Sequence, residues 1–206
     1  MKTNLKNLYS WVLSWAESAY GTFILFLVAF AESSFFPVPA DPLLMALCLG
    51  KVKRSMYYVF ICTLGSVLGG IFGFIIGYFL WYIPSGELTG IANFFFRVIP
   101  GFTPEVFDNV GAQYDAYNFW VIFTAAFTPI PYKVFSITAG VFQIDLPTFI
   151  IASVLGRGGR FLIIGLLIHF FGKPIKVMMD KHFNTFIIVL TIIFALSYVL
   201  VGYLFQ

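Results

Sequence analysis

Charge is the scarcest ingredient of this sequence. Only 10% of its 206 residues are Asp, Glu, Lys or Arg, where a soluble domain carries about a quarter. With 60% hydrophobic residues, that shortage excludes an ordinary water-soluble domain and predicts an all-α integral membrane protein. Histidine is scarcer still. His169 and His182 are too few and too far apart for a metal site, and His169 reads as an interfacial residue near a helix end. No Walker-type loop cradles a phosphate and no serine sits beside a plausible base. Enzymatic activity, a metal and a cofactor are therefore not expected, nor is a nucleic-acid partner. Cys48 and Cys62 both lie in apolar sequence and read as free thiols packed as small hydrophobes, without a redox role.

Long apolar runs are abundant. Residues 55–82, 146–172 and 183–205 each hold about 20 mostly apolar residues, enough to cross a hydrocarbon core of roughly 30 Å as a helix. Residues 1–20 differ: Leu5, Leu8, Trp11, Val12 and Trp15 recur at helical spacing, interrupted by Ser and Glu17. That pattern predicts an interfacial amphipathic helix rather than a signal peptide, which would need a continuous apolar stretch and a small-residue cleavage site.

One phrase occurs twice. Phe35-Phe36-Pro37-Val38-Pro39-Ala40-Asp41 is echoed by Phe127-Thr128-Pro129-Ile130-Pro131-Tyr132-Lys133, and the position that is acidic in the first copy is basic in the second. Proline lacks a backbone N–H and obstructs the preceding helical turn, so Pro-x-Pro in apolar sequence forces a break that only protein or water can satisfy. Two such breaks at matching positions of two half-chains point to a binding site shared by an internal repeat.

Charge placement decides the expected topology. If residues 22–50 turn back at Pro37 and Pro39, one face of the membrane collects Lys2, Lys6, Lys51, Lys53, Arg54, Lys173, Lys176 and Lys181, and the other receives only Arg97. That is a strong positive-inside bias and places the N-terminus in the cytoplasm. Residues 22–50 then form one re-entrant hairpin, and residues 118–141, turning at Pro129 and Pro131, form a second that dips in from the other side. The arms, about 10–14 residues each, are too short to cross. An amphipathic stretch at 103–117 precedes the second hairpin. Each unit of amphipathic helix, re-entrant hairpin and transmembrane helix crosses once, so two in succession make an inverted repeat. The span 183–205 is an extra C-terminal transmembrane helix.

The repeat continues into the spans. Ser66-Val67-Leu68-Gly69-Gly70-Ile71-Phe72-Gly73 resembles Ser153-Val154-Leu155-Gly156-Arg157-Gly158-Gly159-Arg160, which aligns Gly70 and Gly73 with Arg157 and Arg160. Gly65, Gly69, Gly73 and Gly77 stand at four-residue spacing, a stripe that permits close helix approach. It suits the second span or a second copy of the chain in a homo-oligomer.

Five ionisable residues remain at membrane depth: Glu32, Asp41, Lys133, Arg157 and Arg160. Each costs on the order of 2.5–3.5 kcal/mol near the bilayer centre, so they need partners or water. Glu32 and Asp41 flank the first break and can face one site. Arg157 and Arg160, three apart on one helix face, can present two guanidinium forks to a single anion. Structural neutralisation of the arginines by the acids, and snorkelling of Lys133 to the interface, are the plain alternatives.

Glu32 to Asp41, then Thr128-Pro129-Ile130-Pro131-Tyr132-Lys133 through Ala139-Gly140, then Gly156-Arg157-Gly158-Gly159-Arg160-Phe161 resemble the DedA family, also called the SNARE-associated or VTT domain, in its YqaA-like branch. The resemblance covers about residues 20–172. It implies two opposed hairpins, embedded acids at Glu32 and Asp41, and a lipid transporter or flippase in the bacterial cytoplasmic (inner) membrane, moving undecaprenyl phosphate or phospholipid with proton-motive-force dependence. The expected partners are a lipid phosphate headgroup, the bilayer and protons. Where better-studied members resemble Arg-Phe-x-Pro-x-x-Arg, this chain has Ala126 at the first Arg and Tyr132 or Lys133 at the second. Arg157 and Arg160 then supply the missing positive charge. The sites expected are Arg157, Arg160 and Lys133 for the substrate, Glu32 and Asp41 for proton coupling, and Pro37, Pro39, Pro129 and Pro131 for the turns. A channel or transporter for a small polar solute or ion, and a non-transporting membrane scaffold or assembly factor, are the alternatives.

Overall fold

A computed structural model describes residues 20–34, 39–82, 87–98, 104–128, 132–172 and 174. The expected amphipathic helix at 1–20 (apart from Tyr20), the last span at 183–205, and Pro37, Pro129 and Pro131 lie outside the described residues. Within them the chain is helical, and the one β-type pairing is an isolated bridge between Tyr82 and Leu88.

Helix α1 (Gly21–Ser34) ends just before the first Pro-x-Pro, and α2 (Asp41–Gly50) begins just after it. Pro42 in the first turn of α2 removes an N–H that no helical carbonyl would have used. A 3-10 turn at Val52–Arg54 leads into α3 (Ser55–Trp81), whose first residue donates its hydroxyl to Val52 O at 2.8 Å. Helix α4 (Gly90–Val98) is capped by Thr89, whose Oγ1 accepts the Ala92 N–H at 3.2 Å. Helix α5 (Pro104–Phe127) carries the amphipathic stretch and the first arm of the second expected hairpin as one helix. It bends at Tyr117, where φ is −128° and ψ 16°. Helix α6 (Tyr132–Val141) and α7 (Leu146–Gly172) follow. Asp145 caps α7 by accepting the Thr148 N–H at 3.0 Å and its hydroxyl at 2.8 Å.

Among the described residues two helices are long and apolar enough to cross a membrane: Val52–Trp81, which includes the 3-10 turn, and Leu146–Gly172. Their contacts run in opposite senses. Gly172 meets Val52, Gly165 meets Val59, and Arg157 bonds Ser66, so α3 and α7 are antiparallel. The first arms run with their spans instead. Gly65 and Gly69 of α3 lie against the backbone of Phe26 and Phe30 of α1, and Gly156 and Gly159 of α7 lie against Phe123 and Phe127 of α5. Helix α2 runs from the middle of the molecule back to the start of α3. Its Asp41 reaches Arg160, while Cys48 near its other end lies against Ser55 O.

Glycine makes these approaches feasible. A methyl group at Gly65 would fall 2.6 Å from Phe26 O, and one at Gly140 of α6 would collide with the Phe74 carbonyl. The stripe on α3 therefore serves contacts within the chain, with Gly65 and Gly69 against α1, and Gly70, Gly73 and Gly77 against α6.

Among the described residues two larger apolar clusters form, beside a small one of Trp81, Ala92 and Val141. The first joins Leu25, Ala29, Leu44, Leu47, Tyr58, Cys62, Phe161 and Ile168, from α1, α2, the start of α3 and the end of α7. The second joins Phe74, Tyr114, Ile122, Tyr132, Phe149 and Ala152, from the end of α3, α5, α6 and the start of α7. Between them, halfway along both long helices, Ser33, Asp41, Ser66, Ser136, Ser153 and Arg157 are buried.

Candidate functional site

The polar layer starts at the backbone breaks. After Pro37-Val38-Pro39 the first N–H groups of α2 have no helical carbonyl to bond, and Glu32, in the last turn of α1, accepts the Ala40 N–H at Oε2 over 3.0 Å. Before Pro129-Ile130-Pro131 the last carbonyls of α5 likewise lose their helical donors. Thr128 O there accepts Arg160 NH1 at 2.8 Å. An embedded acid thus satisfies one break and an embedded base the other, which gives the two charges a local structural reason to be present.

Each acid also meets an arginine of α7. Glu32 Oε2 lies 2.9 Å from Arg157 NH2, and Asp41 Oδ2 pairs with Arg160 NH2. Arg157 is 1% exposed and held on several sides. Its Nε donates to Ser66 Oγ at 2.6 Å, and its guanidinium carbon lies 4.7 Å from the Phe161 ring centroid and 5.4 Å from that of Tyr132. A guanidinium only donates, so Ser66 Oγ is the acceptor of that bond, and it shares a second hydrogen bond with Ser33 Oγ, 2.7 Å away. Ser33 O in turn accepts the Ser136 hydroxyl at 3.1 Å, joining α1 to α6.

The second pair is looser. Arg160 is 14% exposed, and Asp41, 10% exposed, keeps a buried Oδ1 with no hydrogen-bond partner among the described residues. Arg157 and Arg160 are each engaged by their own acid. Lys133, in the first turn of α6, is half-buried, and its ammonium has no described hydrogen bond or ion pair. Of the four turn prolines, Pro39 is described and exposed.

Tyr132 was expected only as an alternative for a basic position, yet its hydroxyl donates to Ser153 Oγ at 2.6 Å and its ring lies beside Arg157. Ser33, Ser66, Ser136 and Ser153 were not expected to take part. A signal for two of them was present, since Ser66 and Ser153 open the two aligned span segments. Ala126, where related motifs have arginine, is buried, and its Cβ lies 2.6 Å from where a methyl on Gly156 would stand. An arginine has no room at that contact, and the next residue of α7 is Arg157.

The VTT domain matches residues 38–170, from just before α2 nearly to the end of α7. The chain belongs to the VTT domain (DedA) family. Asp41, Lys133, Arg157 and Arg160 lie inside the match to the VTT domain, and Glu32 precedes it. An uncharacterized protein of Haemophilus influenzae is 29% identical over 176 residues, covering 84% of this chain and 85% of its own length. Another, from Histophilus somni, is 34% identical over 167 residues, covering 81% and 82%. No solved structure matches. Family membership and the two apolar helices make this a membrane protein with a membrane-associated function.

Proposed function

We propose that this protein is a proton-coupled transporter or flippase for an anionic lipid headgroup, of the undecaprenyl phosphate or phospholipid kind. The observation that carries the reading is the Asp41–Arg160 pair. It is a buried acid at the start of α2 against a partly buried base midway along the candidate span α7, incompletely satisfied, beside a second acid–base pair and near a break in the backbone. A purely structural pair is expected to have every acceptor filled, because an orphaned buried oxygen costs about 1–3 kcal/mol. A phosphate oxygen competing for Arg160, with Lys133 as a further cation, uses this arrangement while the acyl chains stay in lipid.

In this reading α1 with α2, and the second half of α5 with α6, are re-entrant hairpins entering from opposite faces, and the two halves form an inverted repeat. Support comes from the parallel packing of α1 on α3 and of α5 on α7, set against the antiparallel α3 and α7. The protein then sits as a multi-pass protein of the bacterial cytoplasmic membrane with its N-terminus in the cytoplasm, in line with the clustered Lys51, Lys53 and Arg54.

The test is reconstitution into liposomes with labelled undecaprenyl phosphate, or labelled phospholipids, under an imposed proton gradient. Translocation by the wild type that falls at least tenfold in Asp41→Asn and Arg160→Gln supports the reading. A wild type that moves no lipid but conducts ions, or moves neither, overturns it in favour of a channel or a scaffold.

A further inference from the structure

The two acid–base pairs are built differently, and we infer that they divide the work: Glu32–Arg157 is a fixed strut, and Asp41–Arg160 is the exchangeable pair that trades one proton for one headgroup charge. This inference rests on the reading of the site as an anionic-lipid site and names which of its charges touch the lipid.

Arg157 is closed to a ligand. It is 1% exposed, its Nε is bonded to Ser66, its NH2 to Glu32, and its plane lies beside Phe161 and Tyr132. Moving it would break the chain from Arg157 through Ser66 to Ser33 and strip Glu32 Oε2 of one of two donors, the other being the Ala40 N–H. Glu32 is the more exposed acid, at 21%, but its bound oxygen also finishes the first turn of α2, so releasing it would undo that helix start.

Arg160 is open by comparison, and its partner is only half satisfied. Asp41 Oδ2 takes Arg160 NH2 and Oδ1 has no partner among the described residues, while Arg160 keeps a second anchor on Thr128 O. An incoming anion can take the NH2 face of Arg160 without uprooting the side chain. Asp41 would then be a buried carboxylate without a direct ion pair and beside an added anion, with Arg157 already held by Glu32. Such a group binds a proton rather than stay ionised. The O–H bond forms at a carboxylate oxygen with a proton drawn from water, so one negative charge arrives on the lipid and one is neutralised on Asp41. The charged and titratable groups around Asp41 are Arg160, its partner, with Arg157 from α7 and the Cys62 thiol from α3, both of which Glu32 from α1 also acts on. With Glu32 and Arg157 locked together, Asp41 is the acid left to change state when Arg160 changes partner.

The experiment uses the full chain in detergent with dihexanoyl phosphatidylglycerol as probe. Its phosphodiester holds a single charge across the working pH range, so any proton taken up belongs to the protein. Calorimetry in two buffers of different ionisation enthalpy counts protons per ligand bound. The expected result is about one proton for the wild type and for Glu32→Gln, and none for Asp41→Asn, which binds the probe at least as tightly. Uptake that persists in Asp41→Asn and vanishes in Glu32→Gln, or a wild type that does not bind the probe, overturns the inference. Should Asp41→Asn not fold, Arg157→Gln and Arg160→Gln decide: Arg160→Gln is expected to lose binding with a small change in Tm, and Arg157→Gln to lower Tm sharply. The reverse pattern overturns the inference. Liposomes that move no lipid while this proton count holds would refute transport and leave the division of roles standing.

Discussion

Glu32 and Arg157 stand 125 positions apart in the chain and meet at 2.9 Å in its interior. The same Glu32 oxygen holds the Ala40 N–H, so one atom ties the middle of α7 to the restart of the backbone after the first Pro-x-Pro.

Arg157→Ala is expected to destabilise the protein by about 3–5 kcal/mol, because it leaves Glu32 as an unpaired, largely buried charge. Thermal unfolding in detergent measures this. The Glu32→Gln/Arg157→Gln double variant should lose less than the sum of the two single variants. Strict additivity would mean that the pair is not coupled.

Two sets of glycines should respond differently to alanine. At Gly77 and Gly140 a Cβ would run into the backbone of Ile137 and Phe74, and overpacking against backbone costs about 1–3 kcal/mol or more. At Gly158 the nearest atom, of Thr63, is 3.4 Å away, and at Gly50 nothing lies within 4 Å. Gly77→Ala and Gly140→Ala should lower Tm and folded yield, with Gly158→Ala and Gly50→Ala close to wild type.

Tyr114 fastens α5 to α6 through its hydroxyl, which lies 2.7 Å from Thr138 Oγ1. Tyr114→Phe removes that bond and keeps the ring, so a loss of about 1 kcal/mol is expected from the unfolding midpoint. Thr138→Val should add little in the Tyr114→Phe background, since the bond is already gone.

Asp145 is ionised below the ordinary carboxylate value of 3.8 because the Thr148 hydroxyl and N–H both donate to it. A lowered folded value means that its contribution is complete above the unfolded value and disappears as pH falls through the folded one. The start of α7 should therefore exchange amide hydrogens faster at about pH 3 than at about pH 6, after correction for intrinsic rates. Asp145→Asn, which still caps, should remove that pH dependence.

Lys133→Gln should reduce lipid translocation about tenfold, the scale of one charge-assisted hydrogen bond, and leave Tm unchanged, because no described bond holds its ammonium. An equal fall in Tm would assign Lys133 to the fold instead.

Much of the architecture was legible along the chain. The apolar stretch 146–172 coincides with α7, and the proline phrases separate α1 from α2 and α5 from α6, because a missing N–H and a steric block act locally. Pairing was not legible. The i, i+3 spacing of Arg157 and Arg160 argued for a shared anion, yet their guanidinium groups go to different acids, since side-chain direction depends on which helix packs on which face. The serines' role was hidden for a related reason, even with Ser66 and Ser153 at matching places in the two spans: a buried hydroxyl is ordinary in an apolar helix until a guanidinium is brought against it.

Composition, helix-breaking prolines and charge scarcity determined by themselves that this is a helical membrane protein, where its helices stop, and which few charges must find partners. Tertiary structure alone decided who those partners are. Only the close approach of α1 and α6 to α3 at its glycines, and of α7 antiparallel beside them, brings Glu32 to Arg157 and Asp41 to Arg160. Those contacts depend on distances between residues more than a hundred positions apart, which no local pattern encodes.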